Sequence, residues 1–530
     1  MADTTVHSDR ASSPGAPAAD LPFAERAWVI GAGAALALGV IWLLLPPMGV
    51  DLAAQVAHSD FARTHPWIPI DLRWFGGTDS LGYSFIGPPL MAVIGVRACG
   101  VLATAACAGL LGALMDRCAV PRPRLGAVAG AVSLAVNLYV GRITFAVGAA
   151  LGLATLLAIT YRRRPRWVLM VLGSLLTWAA SPLAALFLGL AGAALLLRRY
   201  IREGIVLGST VLVTLLGSLL IGQGGYMPMS GWDVVTGVVA CGVVAVTTRY
   251  DIVRVAALIA AVGIGLSMLI HSEVGSNAVR LPVVFAVPIV VATSRWRTVT
   301  LAPLVALAAS MGLPSTASGL TAINDPTNQA SYYTGLLEEL EQLPLTGRVE
   351  VPPTLNHWES VYVAEHVPLA RGWMTQLDAG YEAGFFDQRL NADSYRRWLS
   401  DNAVQYIAVP DAPVGAPGQQ EEALIDGGLP YLHQIWRRSP WTIYAVRNPT
   451  STVEGARLVR QSPAALVFHV DRPGTVLVRI RWSQFLTLTG AAACFEPAAV
   501  WTSVKVSEPG TYEVGSALVP DQLHRVCATP

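Results

Sequence analysis

The chain has 530 residues, of which 53% are hydrophobic and 13% charged, and a mean hydropathy of +0.50. That is too apolar and too sparsely charged for a soluble protein of this length, so a bilayer is the expected solvent. With 36 Lys+Arg against 35 Asp+Glu there is no overall field to recruit nucleic acid or another polyanion, and any electrostatic function must be local.

Residues 1–26 read as a disordered cytoplasmic tail, rich in Ala, Ser, Pro, Asp and Thr and without apolar periodicity up to residue 22. Ala27 to Leu45 lacks a small-residue cleavage site and ends in Pro46-Pro47, which predicts a retained first span rather than a signal peptide. Further apolar segments run at about 98–115, 125–140, 143–160, 167–181, 183–197, 204–221, 232–248, 255–271, 281–293 and 298–312. Each is near the length that crosses a ~30 Å hydrocarbon core. The expectation is an all-α polytopic bundle of about eleven transmembrane helices over 27–312, with Ser181-Pro182 turning one helix into the next. Alternate loops carry fourteen arginines, from Arg117 to Arg297, whereas the opposite set carries Arg63, Arg73, Arg142 and Arg280. Positively charged short loops stay inside, so the N-terminus is expected in the cytoplasm and the C-terminal region outside, in a multi-pass plasma-membrane protein.

The first outer loop, 47–97, concentrates polar chemistry. Over 51–62, Asp51, Gln55 and His58 share one helical face, and Val50, Ala54, Ala57 and Phe61 form an apolar stripe beside it. A helix lying on the membrane needs only the stripe, its polar face meeting water. Asp51 differs, because an ionised carboxylate so close to a span is costly without a partner or a task. Phe85 to Val96 reads as a short helix before the second span. Arg142 and Arg280 stand at outer span ends against the positive-inside trend, where an arginine either snorkels to headgroups or binds an anion such as a lipid phosphate. Arg73, Arg142 and Arg280 would together neutralise a phosphate beside a carboxylate.

From residue 313 the composition turns polar. Residues 313–450 read as an α+β region and 451–530 as a β-sandwich, from the alternation in Leu466 to Val470, Gly474 to Arg481 and Gly510 to Val514. Trp358, Trp373, Tyr381 and Trp398 are either core or saccharide-stacking residues. Cys99, Cys107, Cys118 and Cys241 lie in or beside apolar segments and read as small hydrophobes. Cys494 and Cys527 are either a disulfide or two free thiols. No Cys/His cluster has zinc-ligand spacing.

Asp51, Gln55, Phe61-Ala62, Pro69, the run Asp71-Leu72-Arg73-Trp74-Phe75-Gly76-Gly77, Gly82-Tyr83 and Pro88-Pro89-Leu90 together resemble the glycosyltransferase-C (GT-C) superfamily. They look like its bacterial and actinobacterial members, some catalogued as 6-pyruvoyl-tetrahydropterin-synthase-related membrane proteins, a label not taken as an activity. Gly141-Arg142-Ile143-Thr144-Phe145 and the stretch Gly275 to Leu281 extend the resemblance over roughly 27–312. It implies a GT-C-like fold and transfer of a sugar from a polyprenyl-phosphate donor to an envelope glycan, glycolipid or protein. Asp51 would be the general base, Arg73, Arg142 and Arg280 would bind the donor phosphate, and Gln55, His58, Asp71, Trp74 and His271 are further substrate-binding candidates. Related sequences often carry His where Gln55 stands, and no DxD-like pair occurs in the loop, so no ligand motif supports a divalent metal. A transporter or lipid flippase and a non-catalytic envelope-assembly protein are the alternatives.

Overall fold

A computed structural model describes residues 22–310, 322–518 and 526–527, apart from positions 163, 223, 297 and 388. The first 21 residues of the expected tail, and the last two of the segment 298–312, lie outside the described residues. Phe23–Glu25 forms a short 3-10 turn, and Glu25 pairs with Arg124 at 2.7 Å.

The eleven apolar segments are all helical: α1 (Ala27–Leu44), then, after three short loop helices, α5 (Val96–Arg117), α6 (Pro123–Tyr139), α7 (Ile143–Ile159), α8 (Arg166–Ala180), α9 (Pro182–Leu197), α10 (Ile201–Ile221), α11 (Gly231–Thr247), α12 (Asp251–Leu269), α13 (Arg280–Thr293) and α14 (Thr298–Ser310). Among the described residues, four stretches are long and apolar enough to cross a membrane: Ala27–Leu44, Val96–Arg117, Asp251–Leu269 and Gly275–Thr293; α7, α8, α9 and α11 are shorter apolar helices. Their ends follow local chemistry. Pro123 and Pro182 sit at the first turns of α6 and α9, where no amide donor is lost, and the Ser181 hydroxyl accepts from Ala184 N. Ser230 and Asp233 close a reciprocal cap on α11. α1 packs on α5 and α6, α6 on α13, and α7 on α5 and α8. Small residues permit the close crossings: a Cβ at Gly112 would stand 2.6 Å from the Ala27 carbonyl oxygen. Cys99, Cys107 and Cys241 are buried, whereas Cys118 is exposed, contrary to its reading as a buried hydrophobe, because it caps the end of α5 rather than facing a neighbour.

Between α1 and α5 the first loop forms α2 (Leu52–Thr64), a hairpin of β1 (Ile70–Asp71) and β2 (Thr78–Asp79), α3 (Ser80–Tyr83) and α4 (Gly87–Ile94). α2 does not lay its polar face on water. Leu52, Ala53, Ala54, Gln55, Ala57, His58, Ser59 and Phe61 are all buried, because α4 packs on one side and the helix Glu359–Tyr362 of the C-terminal region on another.

The C-terminal region holds three sets of strands and helices. β3 (Arg348–Glu350), β4 (Val404–Pro410), β5 (Leu432–Arg438) and β6 (Trp441–Val446) form a sheet in the order β3-β4-β6-β5, with only the β3–β4 pair parallel. Two antiparallel four-stranded sheets follow: β12 (Ala493–Ala498), β13 (Trp501–Val506), β10 (Gly474–Arg481) and β7 (Val453–Glu454), facing β11 (Leu486–Thr489), β14 (Gly510–Ser516), β9 (Leu466–Val470) and β8 (Arg457–Gln461). Val476, Val478 and Phe495 from one sheet and Phe468, Leu488 and Tyr512 from the other share a single core. Cys494 and Cys527 are joined by a disulfide.

Burial pushes the Glu382 carboxyl, which Asn402 meets at 3.4 Å, up to about 7 from the ordinary 4.5. The folded chain therefore holds a proton there that the unfolded chain has released, and stability falls as pH rises through that window. Melting of the detergent-solubilised protein should weaken between pH 5 and 7 by an amount on the order of 2 kcal/mol in its Glu382-dependent part. Glu382→Gln should flatten that slope; an unchanged slope rejects the assignment.

Candidate functional site

Asp51 sits in the turn between α1 and α2, and that turn is pressed against the α6–α7 turn. Asp51 N donates to Val140 O at 3.0 Å. Both turns need glycine: Gly49 and Gly141 have φ of +105° and +89°, and a Cβ on Gly141 would lie 2.5 Å from Leu52 N. The contact brings Arg142, the residue after Gly141, onto the carboxylate, with Nε donating to Asp51 Oδ2 at 2.9 Å. From the start of α13, after the 3-10 turn Gly275–Val279, Arg280 Nη2 approaches the same oxygen at 3.9 Å. The Arg280 Nε is buried with no hydrogen-bond partner among the described residues. The three side chains keep 25%, 22% and 18% of their surface exposed. The group is thus partly desolvated yet reachable, and it carries two guanidinium groups for one carboxylate.

One helical turn after Asp51, the Gln55 amide accepts from Thr144 N at 3.3 Å and donates to the Tyr83 hydroxyl at 2.5 Å; Thr144 Oγ1 donates to the same hydroxyl at 3.0 Å. Tyr83 and Thr144 were not singled out as site residues from the sequence. His58 stacks on Tyr83 with ring centres 4.8 Å apart and meets the edge of Trp74 at 5.4 Å. Burial pushes the imidazole down to about 4, so it is neutral at pH 7, and neither ring nitrogen has a partner among the described residues.

Arg73 does not join this group. Its Nε and Nη2 both donate to the Asp71 carboxylate, at 2.7 to 3.1 Å, and Nη2 also reaches Ala57 O at 2.8 Å. Asp71 is fully buried and Arg73 nearly so. The expected donor-phosphate role for Arg73 is therefore corrected to a structural one, because the side chain is buried with Nε and Nη2 held by a buried partner. Trp74 is likewise buried, donating to Ser360 O at 3.2 Å. His271 stacks on Tyr226, whose amide donates to Gln376 O at 2.9 Å, and so braces the C-terminal region. Trp358 and Trp398 are core residues, whereas half-buried Trp373 donates to Val50 O at 2.5 Å, one residue from Asp51, under a parallel His357 ring 3.4 Å away.

No group of three His, Cys, Asp or Glu suited to a metal occurs among the described residues. What the arrangement can do is hold an oxyanion on two guanidinium groups while a carboxylate beside them takes a proton. Comparison of the chain with protein-family models and with curated proteins gives no match.

The two kinds of ion pair in the loop should separate in a melting experiment. Asp71→Ala leaves Arg73 charged and buried and should cost about 3–5 kcal/mol. Asp60→Ala breaks the exposed 3.3 Å pair with Arg63 and should cost less than ~1 kcal/mol. Equal melting of the two variants would show that Arg73 does not depend on Asp71.

Proposed function

We propose that the protein is a membrane glycosyltransferase of GT-C type, which transfers a sugar from a polyprenyl-phosphate donor to a cell-envelope acceptor. The observation that carries this reading is the convergence of Arg142 and Arg280 on Asp51, with one Arg280 donor buried and unpartnered among the described residues. A phosphodiester donor carries one negative charge, which the surplus guanidinium charge of the group complements. As the anomeric carbon–oxygen bond to phosphate breaks, the leaving phosphate gains a second charge. Arg142 and Arg280 stabilise it there, and in turning to the phosphate they release Asp51. Asp51 then accepts the proton of the acceptor hydroxyl while that oxygen bonds the sugar carbon, so charge and atoms balance. No step calls for a redox partner or a metal.

In this reading all eleven apolar helices cross the membrane, and the end of the bundle that bears Asp51, together with the C-terminal region, faces the extracytoplasmic side. The support is the arginine asymmetry of the loops. The group also lies at one end of the bundle rather than at mid-bilayer, where a transporter keeps its polar site.

Asp51→Asn should keep the fold and lower sugar incorporation from a polyprenyl-phosphate donor in isolated membranes by about 100-fold or more. Incorporation at the level of the unsubstituted protein would reject Asp51 as the base. Solute or lipid movement in reconstituted vesicles, without sugar transfer, would favour a transporter instead.

A further inference from the structure

Tyr83 is held more firmly than a tyrosine that merely fills space. Its short helix α3 is capped by the Asp79 carboxylate, which accepts from Leu81 N at 2.9 Å and Gly82 N at 3.1 Å. Immediately after it, the Ser84 hydroxyl donates to Ala180 O at 2.8 Å, and Phe85 N and Ile86 N both donate to Ala179 O. Beneath the ring lies the neutral His58 imidazole. The residue is thus fixed by α8 on one side and by the hairpin on the other.

The hydroxyl itself receives two hydrogen bonds, from the Gln55 amide and the Thr144 hydroxyl. Gln55 cannot present its oxygen instead, because that oxygen is already engaged by Thr144 N. A phenol has one proton to give. With the Gln55 amide donating to its oxygen, that proton turns either to the Thr144 hydroxyl or, when Thr144 donates, to a ligand. The two donors also place the hydroxyl. Gln55 is one helical turn beyond Asp51, its backbone N–H donating to Asp51 O, and Thr144 is two residues beyond Arg142. Tyr83 therefore bridges the two arms that carry the ion pair, within electrostatic reach of both Asp51 and Arg280. Burial raises the phenol, so it is a neutral donor at physiological pH.

Resting on the glycosyltransferase reading, we infer that the Tyr83 hydroxyl donates a hydrogen bond to an oxygen of the donor phosphate and completes, with Arg142 and Arg280, a three-armed phosphate cradle. A neutral donor fixed before the substrate arrives adds selectivity for an oxyanion without adding a charge that needs a counterion. The same geometry explains why Gln55 suits its position: its amide both accepts from a backbone N–H and donates to the phenol.

The test uses the purified full-length protein in detergent micelles, with a polyprenyl monophosphate and the matching uncharged polyprenol as probes. The unsubstituted protein should bind the monophosphate more tightly than the alcohol. Tyr83→Phe should weaken monophosphate binding by about 10-fold, the scale of one hydrogen bond to a charged group, and leave polyprenol binding unchanged. Thr144→Val, which keeps the phenol but removes one orienting donor, should weaken it by about 2- to 3-fold and serves alone if Tyr83→Phe fails to fold. Monophosphate binding unaltered in these variants, or equal losses for both probes, overturns the assignment of Tyr83. If Arg280→Gln abolishes the phosphate preference while Tyr83→Phe does not, the glycosyltransferase reading stands and the Tyr83 assignment falls. If the unsubstituted protein shows no phosphate preference, both fall.

Discussion

The Arg73 guanidinium keeps four parts of the chain in one register. Its donors grip the Asp71 carboxylate and the Ala57 carbonyl, tying the hairpin to α2. Its carbonyl accepts from Leu369 N, and Trp74 beside it donates to Ser360 O, so the hairpin is also fixed to the α+β part of the C-terminal region. Ile70 and Leu72, on the other face of the same short stretch, enter the core of the β-sandwich. Side chains in an extended segment alternate, so a slip of one residue would push Asp71 and Arg73 into that apolar core and bring Ile70 and Leu72 out of it. A buried pair adds little net stability, yet it makes every other register expensive. Once the hairpin is set, α2 is set, and with it Asp51 and Gln55.

The contrast with Asp51 is one of stoichiometry and access. Asp71 and Arg73 form a one-to-one pair, sealed from solvent, with both carboxylate oxygens engaged. Asp51 meets two arginines through a single oxygen, at 2.9 and 3.9 Å, and the group remains partly open. Surplus positive charge at the end of an apolar bundle is unfavourable unless water or an anion balances it. The residue types are the same in both places, and only the count of partners and the access separate the sealed brace from the open group.

That distinction explains what the sequence could and could not reveal. Hydropathy is a property of single segments, so the apolar helices were legible to within a few residues, and period-two alternation exposed β9, β10 and β14. Arg142 and Arg280 stood out because each breaks a charge rule that applies residue by residue. Arg73 broke the same rule and misled, since nothing local reveals that Asp71, two residues away, folds back onto it. Tyr83 was illegible for the opposite reason. It carries no charge, and its importance lies in contacts with Gln55, 28 residues away, and Thr144, 61 residues away. The sequence left open whether the polar face of α2 meets water, because amphipathicity shows which side is polar, but not that a later part of the chain will cover it.

The cover is itself informative. Trp373 donates to the carbonyl of Val50, the residue before Asp51, and Tyr226 and Gln376 join the α10–α11 connection to the helix Thr375–Tyr381. The C-terminal region therefore grips backbone on both sides of the bundle's end, not exposed side chains that could change without consequence. A lipid-borne anion would approach from among the apolar helices, whereas a polar saccharide would approach through the aqueous side that Trp373 and His357 overhang. In the proposed reading the carboxylate stands at the seam between those two environments, where a reaction joining a lipid-linked group to a polar acceptor would need its base.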